Sequence, residues 1–285
     1  MKDFHGKTAV ITGAASGIGE ALAHEAANRG MNVVLADIEA DPLARVEAAL
    51  RDKNVGVFSQ ITDTSSKEGV MALADEAFDR FGNVHFVANN AGVTGGPGTA
   101  WDISDAEWNW VMDVDFWGVL YGIQAFVPRM LEAGEEGCVM ATSSILGLST
   151  GGSSVYNVAK HAVARLMEGL HYDFGEAEAK LQALLLCPGP IATNIVKSAR
   201  NRPDAAREAS DLSADARGQM FHKWLQSDGM PPKEVADMVF GATERDEFYV
   251  LTHPELIEGA FQRRAKGILS KDKRPLPPPP DFLPE

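Results

Sequence analysis

Apolar and polar positions along the chain alternate between two periods. KTAVIT (7–12) is a short β-rich run, followed by a glycine-rich turn and a helical segment to about Arg29. MNVVLAD (31–37) reads as a second buried strand, and Asp41-Pro42 marks the start of a helix. VGVFSQI (55–61) is a weaker third strand. From Ser65 to Phe81 the apolar residues Val70, Leu73, Ala74, Ala77 and Phe78 recur at helical spacing. NVHFVANNAG (83–92) is a strand that breaks at Asn-Asn-Ala-Gly. A helix from Ser104 to about Leu131, bent near Asp113–Asp115, precedes a strand at GCVMATSS (137–144). A helix from Ser154 to Gly175, a long apolar strand at KLQALLLCPG (180–189) and a last strand at EFYVLT (247–252) complete the series.

Strands that alternate with helices predict a parallel sheet with helices on both faces. Right-handed crossovers make it a doubly wound, Rossmann-type α/β sheet of about seven strands. Residues 1–270 are expected to form a single dinucleotide-binding and catalytic domain. Within it, 190–232 carries helical pieces around Pro203, Gly218, Gly229 and Pro231-Pro232 and is expected to form a substrate lid. The proline-rich tail, 271–285, cannot be a helix or a central strand.

Composition narrows the function. The 285 residues are 45% hydrophobic with a formal net charge of −14. An acidic chain without a basic stripe argues against nucleic acid and anionic membrane surfaces as partners. The basic cluster between Arg263 and Arg274 reads as a solvated face. No apolar run reaches the ~20 residues needed to span a bilayer. MKDFHGK runs straight into a strand-like segment, so no signal peptide is expected. Cys138 and Cys187 sit in apolar runs and read as small buried hydrophobes of a reducing, cytoplasmic compartment. No His/Cys/Asp spacing predicts a metal site. His161 and His171, and the tryptophans at 108, 110 and 117, read as structural.

Four motifs carry candidate chemistry. TGAASGIG supplies Gly13, Ser16, Gly17, Ile18 and Gly19 between a strand and a helix. Glycines there let backbone N–H groups approach a pyrophosphate at the helix N-terminus. Asp37 ends the second strand, where an acid accepts hydrogen bonds from ribose hydroxyls and repels a 2′-phosphate. The positions where a phosphate-pairing cation is expected hold Ala14, Ala15 and Ile38, which favours NAD over NADP. NNAG places Asn89, Ala91 and Gly92 at the carboxyl end of a central strand. Ser143-Ser144 closes the next strand, and Tyr156 precedes Lys160 by one helical turn. An unperturbed tyrosine, pKa about 10, is a poor base at neutral pH. A neighbouring ammonium lowers that value and makes Tyr156 a usable general acid/base.

In this order the motifs resemble the short-chain dehydrogenase/reductase family, in its compact single-domain branch, from about residue 5 to residue 252. The resemblance implies that Ser144 orients the substrate oxygen, Tyr156 exchanges its proton, and Lys160 binds the nicotinamide ribose. It implies that Asn89 lines the cofactor cleft. It also implies a nicotinamide-side loop at PGPIATNI, with Pro188, Gly189, Ile191 on the ring and Thr193 near the carboxamide. Two positions depart from the family. Gln60 and Ile61 stand at the usual Asp-Val pair beside the adenine. Asp115 stands where the family has a catalytic asparagine that holds water and lysine in a proton relay. An ionised Asp115 partly cancels the positive field on Tyr156 and gives an alkaline optimum for alcohol oxidation. The plainer reading is that the asparagine acts through its backbone, so aspartate is tolerated.

The reaction implied is hydride transfer between NAD and a secondary alcohol or its ketone. Ile195, Met220, Phe221, Trp224 and Met230 in the lid predict a bulky apolar or aromatic substrate. Arg200, Arg202, Arg207 and Arg217 offer partners for a carboxylate. NIVKSARNRP and YVLTHPE are locally similar to bacterial family members that oxidise benzylic alcohols of lignin-derived aryl ethers. Because Val114–Val127 is apolar nearly all round, a homo-oligomer is expected; the family commonly forms dimers and tetramers through this helix. The alternative function is an impaired NAD-binding sensor or scaffold of the same fold, for which Asp115 is the only support.

Overall fold

The computed structural model describes residues 1–149, 154–206, 212–214 and 216–270. The expected tail and Arg207 lie outside the described residues. The strands are β1 (Thr8–Thr12), β2 (Asn32–Asp37), β3 (Val57–Ile61), β4 (Phe86–Asn89), β5 (Gly137–Thr142), β6 (Leu181–Cys187) and β7 (Tyr249–Leu251). They form one sheet in the order β3-β2-β1-β4-β5-β6-β7, with every neighbouring pair parallel. Between β1 and β4 the order reverses, and a crevice opens there at the carboxyl ends of the strands.

The period-2 pattern sorts side chains between the two faces. Ile11, Leu35, Ala88, Met140 and Leu186 point to one face. It is covered by α1 (Gly17–Asn28), α2 (Ala40–Leu50) and α8 (Pro232–Arg245). On this side Phe240 stacks on Phe86 with centroids 5.0 Å apart and meets Phe4 edge-on at 5.4 Å. Val10, Val34, Val87, Val139 and Leu185 point to the other face. It is covered by α3 (Lys67–Phe81), α5 (Gly118–Ala133) and α6 (Val155–Glu176). α7 (Ala216–Asp228) and α9 (Pro254–Ser270) lie outside this frame.

Several expected boundaries shift. The second helix starts at Ala40 with Glu39 as its N-cap, so Asp41 and Pro42 stand in its first turn. The expected bent helix is two helices, α4 (Asp105–Met112) and α5, joined by a π-helical turn over Asp113–Trp117. Ser104 caps α4, its side chain accepting from the Glu107 N–H, and Ser154 caps α6 through the Asn157 N–H. The two caps fix where α4 and α6 begin.

Candidate active site

A cavity of 630 Å³ occupies the crevice. Its floor is the turn after β1. Gly13, Ser16, Gly17 and Ile18 line it, while Gly19 is buried behind them. A side chain at Gly19 would overlap the Gly13 carbonyl, so only glycine lets α1 start this close to the turn. Asp37 lines the far end. Its carboxylate accepts the Ala15 N–H at 2.9 Å and the Glu39 N–H at 3.0 Å. Burial pushes its pKa up, and those N–H groups pull against that.

The NNAG segment corrects one expectation. Asn90, not Asn89, faces the cavity. Asn89 shares the parity of Val87, so it turns under α5, where Gly122 leaves it room. Asn90 instead ties three strand ends together. Its N–H donates to Thr12 Oγ1 at 2.9 Å and its Nδ2 to the Thr12 carbonyl at 3.1 Å. Its Oδ1 accepts from Thr142 Oγ1 at 3.0 Å. The alternation of β4 already carried this signal. A second correction concerns Gln60 and Ile61. They end β3 and do not line the cavity, and Ile61 is exposed; Thr62 to Ser65 form that wall. Ala91, Gly92, Pro188, Gly189, Ile191 and Thr193 all line the cavity.

At the opposite end from Asp37 stand Ser144, Tyr156 and Lys160. The one-turn spacing on α6 puts Lys160 Nζ 5.5 Å from the Tyr156 ring centre. The Tyr156 hydroxyl hydrogen-bonds the Ser144 side chain. The Ser143 hydroxyl is instead taken up by the Lys160 carbonyl, to which it donates at 2.8 Å. Lys160 is buried and donates to the Thr142 carbonyl at 3.1 Å.

Asp115 comes from the π-helical turn and has no solvent exposure. The turn adds a residue to the helical repeat and re-aims the side chain, a device common at functional sites. Oδ1 accepts the Val93 N–H at 2.8 Å, and Oδ2 lies 3.2 Å from Lys160 Nζ. Complete burial pushes the Asp115 pKa up against the pull of Lys160. Burial works against the Lys160 ammonium, but Asp115 and Tyr156 carry its pKa above the usual range. Burial raises the Tyr156 phenol; Lys160 lowers it and Asp115 raises it again.

The remaining wall is largely apolar: Val93, Trp110, Val114, Ile145, Leu146, Ile195, Leu212, Phe221 and Leu225. Trp110 is therefore a cavity wall rather than plain core. Met220 is exposed on α7, Trp224 stacks on Phe221 behind the wall, and Met230 packs on the core. Two of the lid arginines already have carboxylate partners. Arg200 pairs with Glu39, and Arg202 pairs with buried Glu107 at 2.8 Å, its guanidinium over the Trp110 ring. Arg217 is exposed on α7 outside the cavity lining. His161 hydrogen-bonds the Asn157 carbonyl and Arg264, and His171 packs on Phe248. Cys138 and Cys187 are buried thiols whose pKa is pushed up to about 12 by burial. Among the described residues no group of His, Cys, Asp and Glu could hold a metal ion, and no helix is long and apolar enough to cross a membrane.

Sheet order and crevice place the protein in the doubly wound α/β class. A sequence model for short chain dehydrogenases matches residues 7–204. The CLA biosynthesis dehydrogenase/reductase of Lactiplantibacillus plantarum is 32% identical over 271 residues, 92% of this chain and 94% of its own. The 1-deoxy-11-beta-hydroxypentalenate dehydrogenase of Streptomyces avermitilis is 33% identical over 250 residues, 87% of this chain and 85% of its own. A short chain dehydrogenase/reductase from Burkholderia phymatum, crystallised in complex with NAD, is 37% identical with a TM-score of 0.90, covering 100% of both chains. The chain belongs to the short-chain dehydrogenase/reductase family of oxidoreductases.

Proposed function

We propose that this protein is an NAD-dependent dehydrogenase acting on a secondary alcohol or its ketone, with a bulky apolar substrate. The observation that carries the reading is one cavity holding Asp37 at one end and the Ser144–Tyr156–Lys160 set at the other. The residues fit the cofactor. The turn from Gly13 to Ile18 offers backbone N–H groups at a helix start for a pyrophosphate, and Asp37 offers a carboxylate for ribose hydroxyls. Bound there, NAD supplies the hydride acceptor for alcohol oxidation.

The chain's own residues handle the proton and the oxygen. Ser144 Oγ holds the substrate oxygen by a hydrogen bond. Tyr156 Oη, as tyrosinate, takes the hydroxyl proton while the carbon gives up its hydride; in the reverse direction it returns that proton. Lys160 stabilises the tyrosinate by charge. Asp115 holds Lys160 as a cation and opposes part of its effect on Tyr156. The apolar wall from Trp110 to Phe221 favours an uncharged, hydrophobic substrate body, because Arg200 and Arg202 already have carboxylate partners. Residues 190–232 act as the lid of a single catalytic unit, 1–270.

The test is NADH formation over a panel of aryl and alicyclic secondary alcohols. Tyr156→Phe should lower turnover by roughly 10²–10⁴-fold, the range for a positioned acid/base, while NADH still quenches tryptophan fluorescence. Tight NADH binding with no turnover on any alcohol or ketone would support the sensor instead.

A further inference from the structure

The end of β2 offers no cation of its own, since Ala14, Ala15 and Ile38 occupy the near positions. The fold brings one there from far along the chain. Arg200 belongs to the short helical segment Ile195–Asn201 and lines the same cavity as Asp37, Ile38 and Glu39. Its Nε donates to Glu39 Oε1 at 2.8 Å, its Nη2 reaches Glu39 Oε2, and its Nη1 donates to the Lys197 carbonyl at 2.9 Å. The Asn201 side chain also hydrogen-bonds Glu39. Asp37 is close enough for its charge to act on the guanidinium. Lys160, the other cation among the described lining residues, sits at the opposite end and faces Asp115.

We infer that Glu39 sets dinucleotide selectivity by occupying Arg200, the one described cation that reaches the adenosine end. This rests on the NAD reading above. The local count is two carboxylates, Asp37 and Glu39, against one guanidinium. A 2′-phosphate, carrying about −1.5 to −2 at neutral pH, would enter a net negative corner. Its natural partner there is a planar guanidinium able to bind phosphate with two parallel N–H donors. Glu39 already takes those donors. Asp37 alone would repel the phosphate, but Arg200 would offset it; the carboxylate of Glu39 removes that offset. A partly exposed ion pair contributes little to stability, so its effect is expected in ligand choice rather than in folding.

The experiment titrates NADH and NADPH separately into the full-length protein, following tryptophan quenching and nucleotide emission. Wild type, Glu39→Gln, Arg200→Met and the double variant are compared, each with a thermal unfolding trace. Wild type should prefer NADH. Glu39→Gln should lower that preference at least about tenfold, the effect of one hydrogen bond to a charged group. The double variant should lose the gain in NADPH affinity, because the gain acts through Arg200. An unchanged preference in folded Glu39→Gln, or a gain that persists without Arg200, overturns the inference and leaves the NAD reading standing. A wild type that binds NADPH as tightly as NADH overturns the NAD reading, and this inference with it.

Discussion

The Asp115 carboxylate lies 3.2 Å from the Lys160 ammonium, and both are buried. Lys160 in turn lies beneath the Tyr156 ring, and the Asp115 charge also reaches Tyr156 directly, where it opposes the charge of the lysine.

The first prediction follows from the sign of that effect. Asp115 raises the Tyr156 pKa. Alcohol oxidation needs tyrosinate, so its rate climbs as pH rises through the Tyr156 pKa. Removing the charge in Asp115→Asn should lower that pKa and move the rising limb of kcat/KM to lower pH. A limb that stays in place refutes the retuning and favours the reading in which this position acts through its backbone.

Ser143 and Ser144 both line the cavity, but their hydroxyls bond differently. The Ser144 side chain hydrogen-bonds Tyr156, whereas the Ser143 hydroxyl donates to the buried Lys160 carbonyl. Ser144→Ala should cut kcat by roughly 10²–10³, the range for losing one donor to a developing oxyanion. Ser143→Ala should act on stability, by about 1 kcal/mol for one buried hydrogen bond. Steady-state kinetics and urea unfolding on both variants read this; equal kcat losses would contradict it.

Glu107 and Arg202 are both buried, and Glu107 Oε1 also accepts the Gly96 N–H. The pair joins α4, the 93–97 loop and the segment leading to α7. Removing one partner leaves an uncompensated buried charge, so Glu107→Ala should cost roughly 3–5 kcal/mol. Equilibrium unfolding checks it, and a loss within about 0.5 kcal/mol, typical of surface sites, would sink it.

Trp117 and Leu131 are exposed on and beside α5, with Phe116 and Ile123 only partly covered. We propose that this face packs against a second copy of the chain. Light scattering should give a mass that is a multiple of the 30.6 kDa chain, and Trp117→Glu should shift it toward the monomer. A wild-type monomer would remove the proposal.

Legibility in the sequence followed range. Strands and helices came through because burial of β1, β4, β5 and β6 imposes runs such as LQALLLC, and because helix caps such as Ser104 and Ser154 are local chemistry. The Asn89 assignment failed although the information was local: the period of two put Asn90 in the cavity and Asn89 beneath α5. Gln60 and Ile61 failed for a different reason. Their expected role comes from the family resemblance alone, and where β3 ends relative to the cavity is set by its pairing with β2.

By itself, the sequence determined the parallel sheet, the glycine turn at its switch point and the one-turn spacing of Tyr156 and Lys160, since each is written in a few consecutive residues. The tertiary structure alone decided what the charged groups face. Arg200 and Arg202 looked like free hands for a substrate carboxylate, and folding gave them to Glu39 and Glu107. For Asp115 the sequence left a charged role and a backbone role both open, and a π-helical turn sets its carboxylate 3.2 Å from Lys160. The physical reason is that a charge acts over a few ångströms of space, and partners drawn from residues 39 and 200 share none of the local periodicity from which a sequence is read.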